Sequence, residues 1–327
     1  MNDLMAFVLS PAFANAVVRM STPLIFVSMA AILGAKANIL CIAYEGMMLF
    51  AALGGVIGSA LSQSLLVGMI CGILAGCLIA GLFAYFVLVL KTKVMLVGLA
   101  LNTLGSGGTI FALYVISGQK ASSISLNSLQ FPVVNIPFIQ DIPVIGQILS
   151  GQNLLTYLAY LSVILVYILL YKTPLGLRIR SVGESPEAAE SVGTNVIKVQ
   201  IIALMIGGVL ASFGGMFMSM GYTPFFTRDM MNGRGFNGIA AQNLGAGHPV
   251  LTLLCAILFG AADAFGIALQ TSRMPPQLAS LAPYITTLVG LVIIGQARRN
   301  QEKKRALALG AKELEVEKQT ANKGEHR

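Results

Sequence analysis

The sequence predicts an all-α fold: a polytopic transmembrane helical bundle of about 8–10 membrane segments, short or broken helices included. Composition, run length and glycine content predict it. Of 327 residues, 56% are hydrophobic and only 10% charged, against about 25% charged in soluble domains, and mean hydropathy is +0.81. Apolar runs long enough to cross about 30 Å of hydrocarbon recur along the chain. The 35 glycines suit helices whose backbones approach closely in lipid.

The runs are Phe13–Leu33, Ile39–Leu61, Leu65–Leu90, Val94–Ser117, Leu154–Tyr171, Val199–Gly221, Val250–Gln270 and the shorter Leu281–Ile294. Phe236–Leu244 is apolar but brief and flanked by glycines, which predicts a short, broken element buried in protein. Residues 1–297 thus form a transmembrane domain, and residues 298–327 a basic, partly disordered tail. The start MNDLMAFVLS has neither a basic n-region nor a clear cleavage site, so no removed signal peptide is expected.

Lys36, Lys91, Lys93, Lys172, Arg178, Arg180, Lys198 and the Arg298-Arg299 start of the tail segregate to one side of this topology. The positive-inside rule makes that side cytoplasmic. The N-terminus is then outside and the C-terminus inside the cell membrane, which requires the Phe236 segment to cross as a broken element. The long loop Gln119–Gln152 falls outside, where it could face a solute-delivering protein; a plain surface loop fits equally. The basic tail start suits anionic lipid headgroups.

The net charge of +8 is no nucleic-acid footprint, because nine of the 21 Lys and Arg residues lie in the tail among five Glu. Cys41, Cys71, Cys77 and Cys255 all fall in apolar runs without metal-ligand spacing, and the two histidines, His248 and His326, have no companion ligands. No metal or cofactor is expected. G-x-x-x-x-G-K-S/T and G-x-S-x-G are both missing, so neither an ATPase site nor an acyl-transfer nucleophile is encoded and no enzyme is expected.

Between Leu154–Tyr171 and Val199–Gly221 lies a polar island, TPLGLRIRSVGESPEAAESVGTNV. Within it Ser185 can cap a helix, Pro186 suits its first position and Glu187 complements its dipole. Ala188, Ala189 and Val192 give a small apolar face, and Gly193 can end the helix in a left-handed conformation. A helix of about two turns with such a face suits docking into a groove on a soluble partner; an ordinary solvated loop fits the same residues. At membrane depth the chain carries Glu45 beside Gly46, Asn102, Asp263, and Asn237, Gln242 and Asn243 in the broken element. Such groups line solute paths or hold helices together.

Several stretches together resemble one family. The island TPLGLRIRSVGESPEAAESVG resembles the coupling loop of permease subunits in ATP-binding-cassette (ABC) importers of the branched-chain amino acid, ribose and nucleoside branch. ANILCIAYEGMMLFAALGG resembles that branch's N-terminal signature, departing at Cys41 and Ala43, where Asn and Gly are usual. GRGFNGIAAQNLGAGHP and LAPYITTLVGLVIIG resemble its later motifs. The EGMML run, DIPVIGQIL and TPLGLRIRSVGE are most similar to nucleoside (simple-sugar-like) permeases. The resemblance implies import of a small polar solute, with a nucleoside ahead of a sugar or branched-chain amino acid. It implies a cytoplasmic ABC ATPase, a second and unlike permease subunit, and an extracytoplasmic solute-binding lipoprotein as partners. The loop 172–198 then couples to the ATPase through Arg178, Arg180, Gly183, Glu187, Ala188, Ala189 and Gly193. Glu45, Gly46, Asn102, Asn237, Gln242, Asn243 and Asp263 line the path or lock the helices. An ion-coupled carrier titrating Glu45 and Asp263 is the alternative; it leaves the coupling-type loop without a purpose.

Overall fold

Helix α1 (Pro11–Lys36) is the ruler of the bundle. Ser10 caps it and Pro11 fills its first turn, so the chain commits to helix at once. Then come α2 (Tyr44–Ser62), α3 (Leu65–Ala84, continued by a π turn over Tyr85–Val89) and α4 (Val94–Ser117). Strands β1 (Val133–Val134) and β2 (Gln152–Asn153) make one short antiparallel pair. Helix α5 (Leu154–Lys172) leads into two short helices, α6 (Pro174–Glu184) and α7 (Pro186–Ser191). The chain closes with α8 (Val196–Phe217, with a π turn over Met218–Tyr222), α9 (Arg234–Leu244) and α10 (Pro249–Thr271). This computed structural model describes residues 10–134 and 150–271, with Val292 and Gln296 helical in a separate unit from Tyr284 onward. The expected last span, the tail and the 141–149 stretch lie outside the described residues.

Seven of these helices are long and apolar enough to cross a membrane, and the fold is the all-α polytopic bundle expected. Core packing centres on α1, α2 and α8, whose buried face includes Phe26, Tyr44 and Phe217. Helices α3, α4 and α5 instead expose long apolar stripes such as Leu66, Ile70, Leu74 and Phe111, as lipid-facing or subunit-facing helices do.

Contacts along α1 fix the level of every neighbour. Gln200 at the start of α8 donates to Ala37 O (3.0 Å) at the foot of α1, while Ser219 beyond the other end of α8 donates to Ala52 O of α2 (2.9 Å). Helix α10 runs alongside, with Gly260 against Ser21. Between them, the Arg234 guanidinium lies at Met20, Gly238 packs on Val27, and Gly247 faces Lys36. Met20 to Lys36 is about 24 Å of helix axis. The chain between α8 and α10 therefore descends along α1 from the level of Met20 to that of Lys36. Its 11-residue helix covers about 16 Å of that path, and the reach of the Arg234 side chain and the turn after Leu244 make up the rest.

The second span starts later than its hydropathy suggests. Asn38 turns the chain with φ 61°, residues 39–43 are not helical, and α2 begins at Tyr44. Tyr44 is buried, and its hydroxyl donates to Ala30 O (2.9 Å). Helix α2 thus starts inside the bundle, not at its rim.

Candidate functional site

Two helices, α2 and α9, begin at mid-depth, and their first N–H groups lack water to bond. At α2, Ala43 offers no side-chain cap. Asn102 of α4 supplies one from outside: its Oδ1 accepts the Gly46 N–H (2.9 Å) and its Nδ2 donates to Ile42 O (2.9 Å). The amide stands between the two groups that an ordinary i to i−4 bond would join. The approach requires glycine on both sides. A Cβ on Gly46 would lie 2.6 Å from Leu101 O, and one on Gly105 would lie 2.7 Å from Gly46 Cα.

At α9, Gly233 is the N-cap with φ 78°, and its N–H donates to Glu45 Oε1 (2.8 Å). Glu45 sits in the first turn of α2. Its carboxylate therefore lies at the positive ends of two helix dipoles, which favour an anion. Oε2 is buried and has no hydrogen-bond partner among the described residues. The next residue, Arg234, pairs with Asp263 of α10 (Nε–Oδ2 3.7 Å), with side chains 12% and 10% exposed. Its Nη1 also donates to Met230 O and Met231 O, both at 3.3 Å.

The structure thus brings Glu45, Gly46, Asn102 and Asp263 of the sequence-derived set into one junction of α2, α4, α9 and α10. Asn237 lies one turn along α9. Gln242 and Asn243 do not join: they sit about 10 Å further down α9, Gln242 buried near Lys36 and Asn243 exposed. Arg234 is not among the sequence-derived site residues; it opens α9 as a nearly buried cation, and its pairing with Asp263 places it at the junction.

The coupling-type segment holds two helices where the sequence suggested one. Thr173 accepts the Gly176 N–H (3.1 Å) ahead of Pro174, as Ser185 accepts the Ala188 N–H (3.3 Å) ahead of Pro186. The repeated hydroxyl-Pro pair was the missed signal for α6. Helix α7 begins and ends at the residues expected, with Gly193 at φ 82°. Its apolar face divides: Ala189 is buried, while Ala188 and Val192 (79% exposed) point outward with Leu177 of α6 (62%). Arg178 and Glu187 are exposed, whereas Gly183 packs directly on Lys36 O. Arg180 turns inward over the Tyr171 ring (5.1 Å).

Comparison with known proteins places this architecture. Residues 13–295 match the family described as branched-chain amino acid transport system / permease component. A nucleoside ABC transporter permease protein of Lactococcus lactis is 30% identical, and a guanosine ABC transporter permease protein of Bacillus subtilis 31% identical, each over 85% of this chain and 90% of its own length. A Haloferax volcanii protein provisionally assigned as a glucose ABC transporter permease is 31% identical over 85% of this chain and 89% of its own. The solved structure of PsaBC from Streptococcus pneumoniae in complex with Fab shares the fold, with TM-score 0.54 over 89% of this chain and 95% of that one, at 14% identity.

Proposed function

Since this chain belongs to the family of branched-chain amino acid transport system permease components, a family of multi-pass ABC permeases, we propose that it carries a nucleoside into the cell. The observation that carries this reading is the similarity, over 85% of this chain, to a nucleoside and a guanosine permease. In this reading a separate ABC ATPase supplies the energy. The outward face of Ala188, Val192 and Leu177 is its contact. A solute-binding protein delivers the solute, and a second permease completes the path. The mid-depth junction suits alternating access, because short helices that start inside the bundle can shift as units against α1.

A sugar is the second reading, favoured by the glucose-assigned relative of equal similarity. Cells with and without the gene separate the two. Uptake of labelled guanosine or uridine should fall on deletion and return on complementation. Unchanged nucleoside uptake beside lost glucose uptake would transfer the assignment to sugars.

A further inference from the structure

At the Lys36 end of the bundle an open cleft of about 350 Å³ is lined by Ala35, Lys36, Tyr171, Arg180, Gly183 and Glu184. The Lys36 chain folds over Gly247, whose backbone adopts φ 66°. The Arg180 guanidinium sits over the Tyr171 ring, with its Nε buried and without a hydrogen-bond acceptor among the described residues. Beside them the His248 ring packs on Tyr171 (6.0 Å), and its buried Nδ1 is likewise without a partner there. Neither cation has a carboxylate within 4.0 Å among the described residues.

The C-terminal dipole of α1 explains a basic residue at Lys36. It does not explain Arg180, which sits within α6 and lines the cleft with no paired carboxylate among the described residues. A buried unused donor is costly. We propose that this cleft binds a phosphate group, held by the Arg180 guanidinium and the Lys36 ammonium. The phosphate comes from an anionic phospholipid headgroup or from free phosphate; planar guanidinium donors match its oxygens well. The surroundings suit the lipid source. Exposed Leu161, Ile164 and Ile168 form a stripe along α5 that ends at Tyr171 and Lys172 beside the cleft, so acyl chains can lie on α5 while the headgroup enters. Glu184 on the rim opposes the anion and tunes its affinity downward.

The test is native mass spectrometry of the purified full chain with phosphatidylglycerol or phosphatidylcholine of identical acyl chains, with and without added inorganic phosphate. Phosphatidylglycerol should be retained preferentially. Arg180→Gln should weaken its retention about ten-fold, the loss expected for a charge-assisted pair. Glu184→Gln, at an exposed position that does not threaten folding, should strengthen it. Lys172→Gln removes an equal charge outside the cleft and should change it little. Displacement by inorganic phosphate would assign the site to the phosphate group itself; resistance to displacement would assign it to the lipid. Equal retention of both lipids, or equal losses in Arg180→Gln and Lys172→Gln, would overturn the proposal. Lipid retention unaffected by any variant, with Arg180 protected only when the ATPase is bound, would also overturn it and make the cleft a carboxylate socket for that partner.

Discussion

The Arg234–Asp263 pair should behave as a strongly coupled unit. Both side chains are nearly buried, and the 3.7 Å contact is a single Nε–Oδ2 approach, not a bidentate one. Removing one partner leaves the other charge uncompensated in a low-dielectric interior, at about 3–5 kcal/mol. The loose geometry, and the two carbonyls that also receive Arg234, place this pair near the low end, about 3 kcal/mol. Arg234→Met and Asp263→Leu should each cost roughly that much, while the double variant should cost far less than twice as much. Thermal loss of monodisperse protein, read by size-exclusion chromatography in detergent, measures this double-mutant cycle. Fully additive losses would mean that the two charges do not sense one another, and would refute the packing of α9 on α10 described above.

Glu45 makes a separable prediction. Glu45→Gln keeps an acceptor for the Gly233 N–H, whereas Glu45→Leu strands that donor and should cost about 1–3 kcal/mol more. Uptake at matched membrane levels should follow the same order, and parental behaviour in both variants would remove Glu45 from any structural or transport role. In α7, Ala188→Trp should leave the chain in the membrane but abolish co-purification of the ATPase, because Ala188 is on the outward face; normal recovery of the ATPase would make that face a plain surface. Gly193→Val, at φ 82°, should shorten or unwind α7 and lower uptake; unchanged uptake would show that the helix end carries no coupling.

Much of the fold was legible because hydropathy reports on burial in lipid. Val94–Ser117 appears with both ends as read, and α7 follows directly from Ser185, Pro186 and Gly193. What hydropathy cannot report is backbone state inside the bundle. Residues 39–43 continue the apolar run of the second span, yet they are not helical, because burial alone does not distinguish a helix from an internal turn. Partnerships were equally hidden. Glu45 and Gly233 are 188 positions apart, and nothing in either local sequence names the other.

The polar groups at membrane depth divide once their hydrogen bonds are counted. A helix that begins inside the bundle must satisfy its first N–H groups without solvent. Asn102 does this for α2 with its amide oxygen while its amide nitrogen donates to Ile42 O, so it has little left with which to meet a solute. Glu45 does it for α9 with one oxygen only. Asp263 is engaged by Arg234. Of the residues that looked alike in the sequence, Glu45 Oε2 is thus the acceptor left unused at the meeting point of two helix N-termini, half-way along α1. A contact at Asn102 would first have to break the cap of α2. If the transport path passes this junction, substitutions at Asn102 should act on assembly before they act on solute preference.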